Sequence, residues 1–326
     1  MTQAVLVTGA AGFVGSHFCR VAHDAGLRVI ALDDFSTSPN WPDEVTPFER
    51  VVGDAAHGDL IRRLVIDRAV DAIVHFAGRI RVEESTRNPK LYFEQNLTKT
   101  VALLDAATSA SDKSLSFVLS SSAAVYGQPE RTPIVELAST RPINPYGASK
   151  LMAEIALQSY AQTHGVRWAA LRYFNAAGAH PDGTLRERHD PETHLVPLAI
   201  DAALGRRPPL VVYGDDYPTR DGTCVRDYVH VMDLADAHLA AITTLAHGAS
   251  VGALNLGSEQ GSTVKEVLAE VARVSGRRVP HEVGSRREGD PPKLVASATL
   301  AAETIGWRPT RNLAEIVEDA LKSRRA

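Results

Sequence analysis

Tyr146 and Lys150, in the run Asn144-Pro-Tyr-Gly-Ala-Ser-Lys150, are the residues of this chain best suited to chemistry. On a helix, a spacing of four places the phenol and the ammonium on one face, one turn apart. A cation beside a phenol favours phenolate, so Tyr146 is expected to accept a proton below the reference pKa of about 10. Upstream lies a serine run, Ser120-Ser-Ser122. In a doubly wound sheet the carboxyl ends of strands line the ligand crevice. Ser122 is therefore expected just past a strand end, able to hydrogen-bond a substrate hydroxyl beside Tyr146. Together with the loop described next, these residues suit an enzyme that moves a proton and a hydride at a sugar alcohol.

A hydride needs a carrier, and the start of the chain offers a seat for one. Val5-Leu-Val-Thr-Gly9-Ala-Ala-Gly12-Phe-Val-Gly15 reads as a strand, a G-x-x-G-x-x-G loop and a helix. Gly9, Gly12 and Gly15 permit a tight turn and close backbone approach to a pyrophosphate. Phe13 and Val14 open a helix whose free N–H groups and dipole favour an anion. Asp33 ends the next strand about 20 residues on, where an acid holds an adenosine ribose. Asp34 follows it. Two carboxylates repel a 2′-phosphate and no arginine follows directly, so NAD is expected rather than its phosphorylated form.

The elements that must position these residues alternate. Ala4–Thr8, Val29–Asp33, Ala72–Phe76, Ser116–Ser120 and Trp168–Tyr173 read as strands. Val14–Ala25, Leu60–Arg68, Leu97–Ser109 and Tyr146–His164 read as helices. Such alternation predicts an α/β fold, a doubly wound parallel sheet with helices on both faces. After Asn175 the texture changes. Asn175–Thr193 and Asp215–Arg226 read as polar loops, Val196–Leu204 as a helix and Leu210–Tyr213 as a strand. Met232–Leu245 and Ala253–Leu256 predict a return to the sheet. Thr263 with Glu266, and Asn312 with Glu315, carry capping-box signatures before two further helices. The expected division is a dinucleotide-binding domain over 1–174, with a return segment over 227–257. A smaller α/β substrate-binding domain takes 175–226 and 258–326.

Composition limits the partners. The chain has 326 residues, 44% hydrophobic, with a formal charge of -4, and its lysines and arginines are dispersed. Nucleic acid and anionic membranes are not indicated, and no apolar run approaches a bilayer span. Two cysteines, Cys19 and Cys224, without a C-x-x-C, fit a reducing compartment. With an N-terminus that lacks a basic leader, this leads to an expectation of a cytoplasmic protein. His180, His189 and His194 share one loop, but their spacings match no helical or finger ligand pattern, so no metal is expected. His230 and His238 are read as packing or surface residues.

Further motifs carry a family resemblance. His75-Phe-Ala-Gly78, Arg172-Tyr-Phe-Asn175, Gly178-Ala-His-Pro181, Asp216-Tyr-Pro-Thr219, Asp221-Gly-Thr, Val225–Asp236 and Arg286-Arg-Glu-Gly-Asp290 join the glycine loop, Ser122, Tyr146 and Lys150. Over almost the whole chain this resembles the UDP-glucose 4-epimerases of the extended short-chain dehydrogenase/reductase family. The resemblance implies a Rossmann domain with tightly held NAD, and interconversion of UDP-glucose and UDP-galactose through a 4-keto sugar. Ser122, Tyr146 and Lys150 are then catalytic. Asp33 sits at the ribose and Asp54 near adenine, with Ala55 beside it. Phe76, Ala77 and Gly78 line the pyrophosphate side, and Asn96, Ser120 and Tyr173 the nicotinamide half. Arg226 and Arg287 clamp the substrate diphosphate, assisted by Asn175. Leu195 and Tyr213 bracket the uracil, Val211 also belongs to the substrate site, and Asp290 holds the uridine ribose. A homodimer pairing Leu97–Ser109 with Tyr146–His164 across a two-fold axis is also implied.

The chain departs from the family's pattern at Ile80, Ala124, Thr193-His194 and Leu294. Leu294 stands where a tyrosine closes the pocket beside the sugar's 2-position, which leaves room for an N-acetyl group. Without the resemblance, Arg226 reads as a salt-bridge partner of Asp227 or Asp233. A 4,6-dehydratase on the same scaffold needs an acid and a base just after the serines. Ala123 and Ala124 occupy those positions and supply neither. A dehydrogenase, a decarboxylase and a non-catalytic dinucleotide sensor are the other readings, the last disfavoured by an intact Tyr146 and Lys150.

Overall fold

The computed structural model describes residues 3–41, 48–111, 114–287 and 290–325. Glu288 and Gly289 of the Arg286–Asp290 motif lie outside them. The chain runs β1 (Ala4–Thr8), α1 (Phe13–Asp24), β2 (Arg28–Asp33), β3 (Glu49–Val52), α2 (Gly58–Asp67), β4 (Ala72–His75), α3 (Val82–Arg87) and α4 (Pro89–Phe93). A π-helical turn (Glu94–Thr98) then enters α5 (Lys99–Ser109), followed by β5 (Ser116–Ser122), a 3-10 turn (Ala123–Tyr126), α6 (Pro145–His164) and β6 (Arg167–Tyr173). The remainder comprises β7 (Asn175–Ala177), α7 (Leu195–Ala203), β8 (Leu210–Tyr213), β9 (Val225–Arg226), β10 (Tyr228–His230), α8 (Val231–Ala246) and β11 (Gly252–Leu256). It ends with β12 (Ser262–Thr263), α9 (Val264–Ser275), β13 (His281–Gly284), β14 (Lys293–Leu294), α10 (Thr299–Ile305) and α11 (Leu313–Arg325).

Seven parallel strands form the main sheet in the order β11-β6-β5-β4-β1-β2-β3. Every residue of β1 is buried, because helices cover both faces of the sheet and each face needs apolar side chains. Val5 and Val7 enter one core with Phe18 of α1 and Leu234 and Ile242 of α8. Ala4 and Leu6 enter the opposite core with Ile61 of α2, Leu104 of α5 and Leu157 of α6. The strand order reverses between β1 and β4, and Thr8 pairs level with His75 there. Such a switch point opens a crevice at the carboxyl ends of the strands. The expected doubly wound α/β fold is therefore present, and β11 does return to the sheet.

A third core joins distant stretches of chain. Val196 and Ile200 of α7, Val212 of β8, Tyr228, Val267 and Val271 of α9, and Ile316 and Leu321 of α11 pack together. Thr263 and Glu266 cap α9 reciprocally, and Asn312 and Glu315 do the same ahead of α11. Ala301, Ile305 and Trp307 pack instead on the α1–α8 face of the main sheet.

Several expectations need correction. Strand β5 runs through Ser122 rather than stopping at Ser120. The stretch read as a loop from Asn175 begins with β7, which pairs in parallel with β10, and Arg226 lies in β9 rather than in a loop. Strands of two or three residues show no periodicity that could reveal them. The helix read from Leu97 starts inside the π-helical turn. Among the described residues, no helix is long and apolar enough to cross a membrane.

Candidate active site

The nucleotide loop is held by its own backbone. Gly12 donates its N–H to Gly9 O at 3.1 Å. Gly9 has φ +69°, and a Cβ there would stand 2.5 Å from the Ala77 nitrogen, so β1 and the Phe76–Ala77 segment touch main chain to main chain. A Cβ on Gly15 would lie 2.2 Å from Gly9 O, which makes glycine the condition for α1 starting so close to the turn. Gly12 is the N-cap and supplies no side-chain cap, leaving the N–H groups of the first turn, at Phe13 and Val14, to an anion. This cradle fits a dinucleotide pyrophosphate.

Asp33 is 7% exposed and accepts N–H bonds from Ala11 at 2.9 Å and Phe35 at 2.8 Å. Burial nonetheless raises its pKa above the usual carboxylate range. Asp54 accepts from Ala56 N at 2.9 Å, with Ala55 buried beside it. Sequence reasoning missed Lys99, whose Nζ stands 2.7 Å from Asp54 and 3.8 Å from Asp34. Burial works to raise the Asp54 pKa, but hydrogen bonds from Lys99 and Ala56 hold it below the usual range. Lys99 and Asn96 lie almost one turn apart, on a register that the π-helical turn shifts.

Asn96 is buried and clips the Arg79 main chain from both sides. Its Oδ1 accepts from Arg79 N at 2.7 Å, while its Nδ2 donates to Arg79 O at 3.0 Å and to Ser149 Oγ at 3.0 Å. Behind it runs a buried relay. Thr8 Oγ1 meets His75 Nδ1 at 2.7 Å, His75 Nε2 meets Thr100 Oγ1 at 2.9 Å, and Thr100 donates to Asn96 O at 2.7 Å. Burial, and then the nearby Lys150 charge, push His75 down to about 3, so the ring is neutral. Gly78 lies between Asn96 and Lys150.

On α6, Asn144 caps the helix by accepting from Gly147 N at 2.8 Å, and Tyr146 and Lys150 share a face. Ser122 lies beside the Tyr146 phenol and accepts from Ala124 N at 3.2 Å. Lys150 is 4% exposed and donates to Ser120 O at 2.9 Å. The expected acidification of Tyr146 by Lys150 is corrected here: burial raises the phenol pKa, and the force opposing it comes from the neighbouring Ser122 hydroxyl. One of the three ammonium donors goes to the Ser120 carbonyl. Burial pushes Lys150 itself down to about 8, with Glu154 pulling the other way. Tyr92 packs edge-on against Tyr146, ring centroids 6.3 Å apart.

Two buried supports were only partly visible in sequence. Glu154 takes a double hydrogen bond from Arg172, at 3.0 and 2.7 Å, and also binds Ser121. Arg172 reaches Tyr126 OH at 2.8 Å, and Tyr126 donates to Asn255 at 2.7 Å. The polar stripe Tyr146–Lys150–Glu154 on a helix facing the core was the available signal. The Tyr173 hydroxyl lies near Ser120 and meets His238 Nε2 at 2.5 Å. His230 and His238 are both 0% exposed, which removes the surface option; His238 positions Tyr173, and His230 caps α8 by accepting from Met232 N.

The substrate-side residues fall into linked groups. Leu294 packs on the cluster of Ala123, Val125, Tyr126 and Ile134 and pairs in register with Arg226. Arg226 Nη2 stands 3.3 Å from Asp290, and its Nη1 donates to the carbonyls of Val225 and Pro291, each at 2.9 Å. Neither Asp227 nor Asp233 is its partner. Asp227 is consumed by Ser258, Glu259 and Ala296, and Asp233 by Thr310 and Arg311. Arg287 lies over the Tyr213 ring at 4.0 Å, with Val211 exposed on the same strand. Asn175 is exposed at the mouth of β7, and its N–H is fixed by Asp227 O at 2.8 Å. His194 is the N-cap residue of α7, which Leu195 opens.

Comparison with known proteins agrees with this geometry. The model of the NAD dependent epimerase/dehydratase family matches residues 5–257. A UDP-glucose 4-epimerase of Azospirillum brasilense is 46% identical over 99% of this chain and 92% of its own length. The crystal structure of UDP-glucose 4-epimerase from Brucella ovis in complex with NAD superposes with a TM-score of 0.94 at 43% identity, covering 98% of each chain. That of Bifidobacterium longum in complex with NAD+ and UDP gives 0.92 at 34% identity, over 99% of this chain and 98% of the other. The chain belongs to the NAD-dependent epimerase/dehydratase family, on its UDP-glucose 4-epimerase branch.

Proposed function

We propose that this site interconverts UDP-glucose and UDP-galactose with Tyr146 as the proton acceptor. The observation that carries the assignment is Tyr146 set beside Ser122 at the carboxyl end of β5, one helical turn from a Lys150 anchored on Ser120 O. Bound NAD supplies the site with a reversible hydride acceptor. As the C4–H bond of the sugar breaks, its electron pair leaves as hydride and the 4-hydroxyl proton passes to the Tyr146 phenolate, the form that the Lys150 charge and an oxidised nicotinamide beside it would favour. Ser122 hydrogen-bonds the same hydroxyl and steadies the carbonyl that forms. The 4-keto sugar turns over, hydride returns to the opposite face of C4, and Tyr146 gives its proton back to the 4-oxygen. Lys150 holds the nicotinamide ribose, with Asn96 and Tyr173 beside it. Ala123 and Ala124 offer no group to eliminate water, so the sugar leaves as the epimer.

Arg226 and Arg287 are assigned to the diphosphate, since guanidinium matches phosphate oxygens. Asn175 and His194 assist, Leu195, Val211 and Tyr213 take the uridine base, and Asp290 the uridine ribose. The UDP bound by the Bifidobacterium longum relative supports a uridine nucleotide here. Leu294, beside Ala123, is assigned to a pocket that also admits UDP-N-acetylglucosamine. We assign 1–174 with the return 227–257 to the cofactor, and 175–226 with 258–326 to the substrate, a division supported by the third core. Met152 and Ile155, 45% and 55% exposed on α6, support a homodimer through that helix. The free cysteines Cys19 and Cys224 support a cytoplasmic location.

One assay tests the reaction. Purified protein incubated with UDP-galactose, without added NAD, is expected to yield UDP-glucose. Net accumulation of NADH with an oxidised sugar would instead make it a dehydrogenase.

A further inference from the structure

The loop leading into α7 carries a second set of converging side chains. Glu187, His189, Glu192 and His194 each offer one ligand atom, and these atoms all lie within 4.8 Å of one another. The two imidazole planes stand at 89°, with centroids 5.1 Å apart. Glu187 is 6% exposed, a deep position for a carboxylate that needs cationic company. Glu192 is held in place by N–H bonds from Thr193 at 2.7 Å and His194 at 2.9 Å, both to Oε1.

Ion pairing leaves part of this arrangement unexplained. His194 does meet Glu187 as a hydrogen bond. His189 Nδ1 stands 2.9 Å from Glu187 Oε1, yet it is buried with no hydrogen-bond partner among the described residues. The ring nitrogen is near the carboxylate without being directed along a hydrogen bond to it. Glu192 Oε2 is likewise buried without a hydrogen-bond partner among the described residues, with Arg324 Nη2 3.7 Å away. Two nitrogens and two carboxylates gathered around one point, with unmatched lone pairs, are what a metal ion would use.

We propose that Glu187, His189, Glu192 and His194 form a four-ligand site for a divalent first-row transition ion of the zinc type. Imidazole with carboxylate suits such ions, whereas calcium and magnesium require oxygen shells. Four protein ligands close the coordination shell, so the role is structural. The site lies between the two sides of the molecule. Phe13 of the nucleotide loop packs edge-on against His189, centroids 6.5 Å apart. Arg81 donates to the carbonyls of Asp190 and Pro191 at 2.5 and 3.3 Å. The ion would fix the loop from which α7 starts against the cofactor side. Histidine spacing alone gave no hint of this, because half the ligand set is glutamate and His180 belongs elsewhere, 2.7 Å from Asp182.

The test uses tag-free holoenzyme, stripped with a chelator and titrated separately with Zn2+ and Co2+. One ion per chain is expected, with the strong visible bands of four-coordinate Co2+ and a melting temperature that rises on adding Zn2+. Binding should weaken by roughly a hundredfold or more in His189→Gln and in Glu192→Gln, with the circular dichroism of each unchanged. Failure of the wild-type protein to bind either ion, a six-coordinate Co2+ spectrum, or a folded variant that binds as tightly as wild type would overturn the proposal. If both variants unfold, the wild-type stoichiometry and Co2+ spectrum decide it.

Discussion

The cofactor side and the substrate side of this molecule hold their polar groups in opposite ways. On the cofactor side the groups are buried and already committed to one another. Thr8, His75, Thr100 and Asn96 form one relay, and Glu154, Arg172, Tyr126 and Asn255 form another. On the substrate side, Arg226 presents its Nη2 to the half-buried Asp290, and Arg287 lies over the exposed Tyr213 ring. A network satisfied in advance loses little order when its ligand arrives, whereas arginines with exchangeable partners can release one anion for another. The first arrangement suits a group that stays, the second one that enters and leaves at each turnover.

Four experiments press on that contrast. Tyr146→Phe should lower kcat for UDP-galactose by about a thousandfold, within the range of general-base catalysis, while NAD still copurifies. Loss of the bound cofactor would mean that Tyr146 belongs to the binding network instead. Acid should strike the cofactor side first. Burial pushes His17 and His238 down to about 4 and His75 to about 3 from 6.5, so the unfolded chain takes up these protons before the folded one does. Their contribution to stability is complete above pH 6.5 and is lost as pH falls through about 4, with a limiting slope of about 4 kcal/mol per pH unit for three groups. Denaturant titrations between pH 7 and 4.5 that show a flat stability would contradict those buried neutral rings.

Arg287→Ala should raise the UDP-galactose KM by about 10–100-fold, the worth of a charged hydrogen bond, with kcat nearly unchanged. An equal loss in kcat would show that this arginine acts in the chemical step rather than as an exchangeable clamp. The smallest effect is expected from Leu294→Tyr, which should lower the ratio of UDP-N-acetylglucosamine to UDP-glucose activity by about 10-fold, the scale of a steric change in a pocket. An unchanged ratio removes Leu294 as the determinant of room beside the sugar.

The same contrast decided what could be read from the sequence. Buried parallel strands demand apolar runs, and the nucleotide turn demands glycine at Gly9 and Gly15, so the sheet and the cofactor cradle were legible. Tyr146 and Lys150 were legible as a pair, but not the direction of Lys150, whose partner carbonyl belongs to Ser120 on another element. Lys99 escaped because its acids, Asp34 and Asp54, lie on two separate segments. Without the family resemblance Arg226 would have been given the wrong acids, because strands as short as β9 and β14 leave no pattern from which to infer their pairing. Long-range polar contacts depend on tertiary placement, and the residue types alone permit several.

The third core has a consequence in time. Translation runs from the amino end, and the seventh strand of the sheet is available once Leu256 has emerged. Val196 and Val212 must wait for Ile316 and Leu321 before their core can close. On the ribosome, therefore, the nucleotide cradle can be finished while the uridine side is still an open surface. A nascent chain long enough for Leu256 to have left the exit tunnel, but not Ile316, should already retain dinucleotide and yet be unable to turn over sugar.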